Sequence, residues 1–380
     1  AAEDRLIEDL VSPYSAKLRA YLAFRGLPYR RIRMNVELYL HTVPKLVGFP
    51  IMPVMLTADG RVMQDSTPII QHLERERGEP HPATVPPDPA LAFVMWLLED
   101  FADEYMPRLI MHTRWGTAEG AQTLARRIAR RLSWSKPDTD LEQLTGFVLA
   151  RQRGFDRHLG INDDTRPDLD AQLRELLTLL DARLSEHRFL LGDRPSVADF
   201  ALYGPLWAHG WMDPSSAGLL ERHGPRTCDW LDVIAEFGDV RGRVCPDPAA
   251  RLGDWLRLED APTSLGALLT FVARTHLPYA RAGARASVTR QKRYRATVRG
   301  IETEFSTHHY RAWSFEQVQL GYQALSDEDR ARVDPLLTRA EILPGLFADG
   351  VHHNALYDGL TPPFIVDGVG DNRVAHHRRR

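Results

Sequence analysis

The sequence predicts a small α/β unit over residues 1–78 followed by an all-helical unit over 90–245. The second unit continues as a mostly helical C-terminal region over 246–380 with a loop-rich tail. Three observations carry this expectation. Short apolar runs alternate with helical periodicity as far as residue 77, the pattern of strands packed beneath helices. The stretch GEPHPATVPPDP at 78–89 is rich in proline and polar residues and reads as a linker. Beyond it the apolar residues recur at helical spacing.

Each element follows in order. Residues 6–11 (LIEDLV) are short and suit a strand. Over 15–25, Leu18, Tyr21, Leu22 and Arg25 fall at helical spacing, and Gly26 is a natural stop. Residues 27–35 (LPYRRIRMN) form a second strand. A loop then leads to strands at 51–57 (IMPVMLT) and 61–66 (RVMQDS), joined by a tight turn at Asp59-Gly60. A helix over 67–77 has Ser66 or Thr67 near its cap and Pro68 in its first turn.

In the second unit, a helix over 90–105 carries Leu91, Val94, Met95, Leu98 and Phe101. Helices follow at 117–132 and 167–185, with a polar break at 136–140. In RPSVADFALYGPLW (194–207), Ser196 and Asp199 are spaced as a capping box with Asp in place of Glu, and the helix they start meets Pro205. The pattern weakens over 245–260; helices are then expected at 264–275, 310–325 and 327–339. The end, 350–380, is rich in Gly and His and reads as loop or tail. The sequence holds no internal repeat.

Composition excludes several classes. With 43% apolar and 26% charged residues and a formal net charge of -3, the 380-residue chain is of ordinary globular type and has no global pull toward nucleic acid or anionic membrane. Cys228 and Cys245 form no Cys-x-x-Cys pair, which excludes zinc ribbons and dithiol redox motifs. No apolar run approaches the roughly 20 residues of a membrane span, and the start lacks the basic and apolar regions of a secretory signal. The expected address is the cytoplasm. The paired histidines 308–309, 352–353 and 376–377 diverge from one another and lack accompanying carboxylates, so no metal site is expected. Glu99, Asp100, Asp103 and Glu104 read as a solvated helix face, with Asp100 or Asp103 able to meet an ammonium across a cleft. RQKRYRATVR (290–299) reads as a basic helix face rather than a nucleic-acid contact.

The chemistry lies in three short stretches. Ser12-Pro13-Tyr14-Ser15 joins the first strand to its helix. A serine cap with proline at the first helical position is a common helix start by itself. It also has the frame of Cys-Pro-Tyr-Cys with both sulfurs replaced by oxygen. Pro53 opens a strand after a long loop, and Gln64-Asp65-Ser66 lies between a strand and a helix. Together with FLLGDRPSVADFALYGPLW these resemble the glutathione transferase superfamily over roughly residues 6–239; EDFADEYMPRLIMHTRW (99–115) is similar to long bacterial members.

The resemblance implies a thioredoxin-like N-terminal domain, an all-helical glutathione transferase C-terminal domain and an extra helical extension. It implies glutathione as co-substrate, no metal, and a small-molecule electrophile or peroxide as second substrate. A homodimer is implied too, unless the long C-terminal part covers the family's dimer surface. It makes the Met52-Pro53 bond cis, with the Met52 backbone meeting the cysteinyl part of glutathione, and puts Asp65 and Ser66 on the γ-glutamyl group and Lys45 near the glycyl carboxylate. Ser12 becomes the donor to the sulfur, with Tyr14 or Ser15 as alternatives. Tyr105, His112, Arg114 and Trp115 are candidates to line a second-substrate pocket between the domains.

The energetics allow such a site. A free thiol titrates near about 8.5 and is only about 3% ionised at pH 7. Lowering its pKa by about two costs roughly 2.7 kcal/mol. A hydroxyl donating to an anion supplies about 1.5–3 kcal/mol, and a helix start roughly 0.3–1 kcal/mol. With no cysteine in the frame, a mixed disulfide with the protein is unavailable. The competing readings are a non-catalytic interaction module and a carrier of apolar acids, in which the same frame is only a cap.

Overall fold

Strand β1 (Arg5–Glu8) lies second in a sheet of order β2-β1-β3-β4. It pairs in parallel with β2 (Arg30–Arg33) and antiparallel with β3 (Val54–Leu56), which pairs antiparallel with β4 (Val62–Gln64). A parallel pair needs a crossover, and α1 (Pro13–Phe24) supplies it. Gly26 ends that helix with φ 65, a conformation that costs glycine little. The computed structural model describes residues 3–78, 81–136, 138–237 and 253–353.

Alternation along the strands sends neighbouring residues to opposite faces. Leu6, Met55 and Met63 join α1 and α3 (Ser66–Glu76) in the main core, while Ile7, Val54, Met34, Val43 and Val47 form a smaller cluster around α2 (Val43–Val47). The strands are shorter than the sequence suggests. At the end of β1, Asp9 already turns the chain, its carboxylate accepting from the Val11 N–H at 3.1 Å.

The helical unit comprises α4 (Pro89–Glu104), α5 (Met106–Trp115), α6 (Ala118–Leu132), α7 (Leu141–Arg153) and α8 (Arg166–Glu186), then α9 (Val197–Pro205), α10 (Pro214–His223) and α11 (Pro225–Glu236). The sequence reading missed α5, α7, α10 and α11. Three of them begin with proline in the first turn, where the missing N–H costs nothing. The capping box at Ser196 and Asp199 is present. Asp199 also accepts from the Leu190 N–H at 2.9 Å and from the Trp230 indole at 3.2 Å, tying α9 to its surroundings. Gly204 permits α9 to lie against α1: a Cβ there would come within 2.5 Å of the Pro13 carbonyl oxygen.

The C-terminal extension is α12 (Thr263–Val288), a hairpin of β5 (Arg293–Val298) and β6 (Ile301–Ser306), then α13 (His309–Gln323), α14 (Asp327–Arg339) and α15 (Ile342–Phe347). The hairpin corrects the expected basic helix. Tyr294, Ala296 and Val298 point inward at period two, while Arg293 and Arg295 point out and pair with Glu304 and Glu302 at 2.7 and 2.9 Å. Arg299 and Gly300, with φ 52 and 82, form the two-residue turn that matches strand twist. The helix expected at 264–275 runs on through Pro278. The histidine pair 376–377 and Cys245 lie outside the described residues. Among the described residues no helix is long and apolar enough to cross a membrane, and no three His, Cys, Asp or Glu gather as a metal-holding group.

Candidate functional site

Strand register brings the three singled-out stretches to one end of the sheet. Ile7 pairs with Val54, and Val54 with Gln64. Met52-Pro53, just before β3, therefore lies alongside the end of β1, and Asp65-Ser66 leaves β4 at that same end. The Met52-Pro53 bond is cis. Ser12 is the N-cap of α1 and Pro13 its first residue. Lys45 is exposed on α2, the helix packed on the other face of the sheet.

Ser12 is 8% exposed, and its Oγ accepts from the Ser15 N–H at 3.2 Å. That cap uses a lone pair of the oxygen and leaves the hydroxyl proton to donate elsewhere. Tyr14 donates its phenol to the Asp103 carbonyl at 3.1 Å and so points at α4. Ser15 Oγ is fully buried without a hydrogen-bond partner. The turn itself is clamped from behind. The Val11 carbonyl accepts from Arg114 at 3.2 Å and from His209 Nε2 at 3.0 Å. Burial and the neighbouring Arg114 push His209 well below the ordinary histidine range, so the ring is neutral and holds its proton at Nε2. Arg114 is paired with Asp213 at 2.8 Å; burial lowers it to about 10 against the pull of that carboxylate, and it stays charged near neutral pH.

Asp65 has φ 67 and its side chain makes no capping bond to α3. Gln64, just before it, is fully buried with neither amide atom partnered. Ser66 Oγ donates to Asp103 at 3.4 Å. This is the edge of a buried network. Lys17 on α1 bonds to Glu99 and, at 2.7 Å, to Asp103, both on α4, and at 3.0 Å to Thr67 on α3, which itself bonds to both carboxylates. Burial pushes Glu99 up to about 7 and raises Asp103, in each case against Lys17. Burial would lower Lys17, but Asp103 and Glu99 outweigh it and hold the ammonium above its usual value.

The other half of the acidic run is equally dry. Asp100 accepts from Ser314 at 2.5 Å and pairs with His276 at 2.7 Å, and Glu104 pairs with Arg311 at 3.0 Å. The expectation of a solvated face at Glu99, Asp100, Asp103 and Glu104 is corrected: all four are buried, because partners arrive from α1, α3, α12 and α13.

The candidates for a second-substrate pocket are buried too. Tyr105 donates to Gln172 at 2.7 Å, His112 meets Asp170 at 3.0 Å, and Trp115 lies under the Arg114 guanidinium at 5.9 Å. Of the four, Arg114 reaches the Ser12 turn, through backbone. A cleft of about 500 Å³ opens instead between α3, α4 and α13, with Thr67, Gln71, Phe93, Trp96, Trp313 and Val318 in its wall. Sequence reasoning missed His209, whose only signal was a polar residue in an apolar helix, and the contribution of α13.

Two family models match the chain. Residues 6–81 match the glutathione S-transferase N-terminal domain and residues 163–257 the C-terminal domain of that family. No curated protein matches the chain. Among solved structures, a glutathione S-transferase from Rhodospirillum rubrum F11 is 19% identical, with 64% of this chain and 94% of that one covered and a TM-score of 0.43. The beta-etherase LigF from Sphingobium sp. strain SYK-6 is 21% identical, covering 61% and 94%, TM-score 0.45. A glutathione S-transferase from Methylobacterium radiotolerans, solved with glutathione sulfonate, is 22% identical, covering 68% and 99%, TM-score 0.38. Both glutathione S-transferase domains are thus matched in order, ahead of the C-terminal extension, and they support the glutathione transferase superfamily for the matched residues.

Proposed function

We propose that the protein binds glutathione at the sheet end formed by Ser12, Met52-Pro53 and Asp65-Ser66 and activates its sulfur for attack on an electrophilic or peroxide small molecule. The observation that carries this reading is the register that gathers those three stretches at one end of the sheet. Bound there, glutathione supplies the sulfur nucleophile, so the protein needs none of its own. Ser12 donates its hydroxyl proton to the sulfur while its lone pair keeps the cap to Ser15. The start of α1 adds its partial positive charge. Tyr14 is engaged with Asp103, which favours Ser12 as the donor. The Met52 backbone meets the cysteinyl part strand-fashion. Asp65 accepts from the γ-glutamyl ammonium, and the first N–H groups of α3, with the Ser66 hydroxyl, take its carboxylate. Lys45 serves the glycyl carboxylate.

Two measurements test the reading. Glutathione at about 100 times its dissociation constant adds roughly 2.7 kcal/mol of stability, read as a rise in melting temperature. Ser12→Ala abolishes most conjugation to an aryl halide while the protein stays folded. No melting shift at millimolar glutathione, or full activity in Ser12→Ala, overturns it.

A further inference from the structure

The groups assigned to glutathione above end at the first turn of α3, yet the buried network continues from them into the C-terminal extension. Ser66 bonds to Asp103, as does Lys17. Glu104, the next residue, is clamped by Arg311 at 3.0 Å in the first turn of α13. One turn in, Ser314 holds Asp100. This double attachment fixes the start of α13 against the end of α4, where Tyr14 also docks. Tyr310, beside Arg311, is buried with its ring against Trp313 at 5.5 Å. Its phenol is held well above the ordinary tyrosine range by burial, then by Asp65, Glu104, Glu99 and Asp103, and so keeps its proton.

We propose that the first turn of α13, through Tyr310, forms part of the wall that receives the γ-glutamyl end of glutathione, so that the C-terminal extension completes the site within one chain. The inference rests on the glutathione reading above. The chemistry suits an amino-acid terminus. A neutral phenol is both donor and acceptor, so it accepts from an ammonium or donates to a carboxylate without adding charge. Lys17 and Arg311 are the cations paired with Glu99, Asp103 and Glu104, two against three carboxylates; an incoming ammonium therefore meets an excess of acidic groups. Gln64, buried and unpartnered immediately before Asp65, offers a further amide to a peptide ligand.

Calorimetric titration of the full chain with glutathione and with cysteinylglycine, which lacks the γ-glutamyl residue, tests this. Tyr310→Phe keeps the ring and removes the hydroxyl. The expected result is a glutathione Kd raised about tenfold with the cysteinylglycine Kd unchanged. Equal weakening for both ligands means a merely structural role and overturns the proposal, as does no change for either. A wild-type protein that binds no glutathione overturns the glutathione reading, and this inference with it. Wild-type binding with an indifferent Tyr310→Phe overturns this inference alone. Hydrogen exchange on the wild-type protein needs no variant. The first N–H groups of a helix lack intrahelical acceptors and exchange readily. Glutathione is expected to slow exchange at residues 309–311 as well as 65–68, and slowing confined to 65–68 overturns the proposal.

Discussion

Helix α4 presents two acidic faces that differ in what neutralises them. Glu99 and Asp103, one turn apart, turn toward the α/β unit and share Lys17 and Thr67. Asp100 and Glu104, a step around the helix, turn toward the C-terminal extension and meet His276, Ser314 and Arg311. The first face sets two carboxylates against one ammonium. The second gives each carboxylate its own partner. The difference teaches that the same helix does two jobs. One face binds the domain carrying Ser12, Asp65 and Ser66 to the helical unit; the other anchors the extension. On the first face burial lifts Glu99 to about 7 against the pull of Lys17, and the neighbouring Asp103 carboxylate adds to the rise.

Breaking the first face has the largest expected effect. Lys17→Met leaves two buried carboxylates unpaired and costs about 3–5 kcal/mol at neutral pH, read as a lower denaturation midpoint at constant m. The loss shrinks as pH falls through 7, where Glu99 takes its proton. Arg311→Met on the second face strips one carboxylate and costs about 2 kcal/mol. Equal losses from the two variants remove the asymmetry.

The first face also sets a pH dependence. Glu99 holds its proton to about 7 in the folded protein and to its ordinary 4.5 in the unfolded chain. Between those values the folded state binds more protons, so this group's contribution to stability is full below pH 4.5 and lost as pH rises through 7. Glu99→Gln is expected to flatten that decline in melting temperature. A wild-type profile that rises over the window contradicts the assignment. The smallest effect belongs to Ser12→Ala, which loses the cap to Ser15 and about 1 kcal/mol.

The contrast between the faces also marks what was legible in the sequence. Ser12-Pro13, Met52-Pro53 and Asp65-Ser66 sit at junctions between elements, and local spacing declares them. The capping box at Ser196 and Asp199 was visible for the same reason. The fate of Glu99, Asp100, Asp103 and Glu104 was not, because Lys17, Thr67, His276, Arg311 and Ser314 are remote in sequence and no spacing announces them. The hairpin at Arg293–Val298 and Ile301–Ser306 was hidden by its arginines: their period of two was masked by a helical setting, and Arg299-Gly300 is an uncommon turn pair. Tyr105, His112 and Trp115 looked like a cleft because aromatic and basic residues suit one; in the fold they serve packing against α8, α12 and the Arg114 clamp.

The central claim is that Ser12 stabilises an ionised glutathione sulfur at the start of α1. Ultraviolet difference absorbance of the bound thiolate across pH measures it directly. The account predicts a midpoint about two pH units below that of free glutathione in the wild-type protein, returning most of the way in Ser12→Ala. A midpoint equal to that of free glutathione, or one untouched by Ser12→Ala, contradicts it.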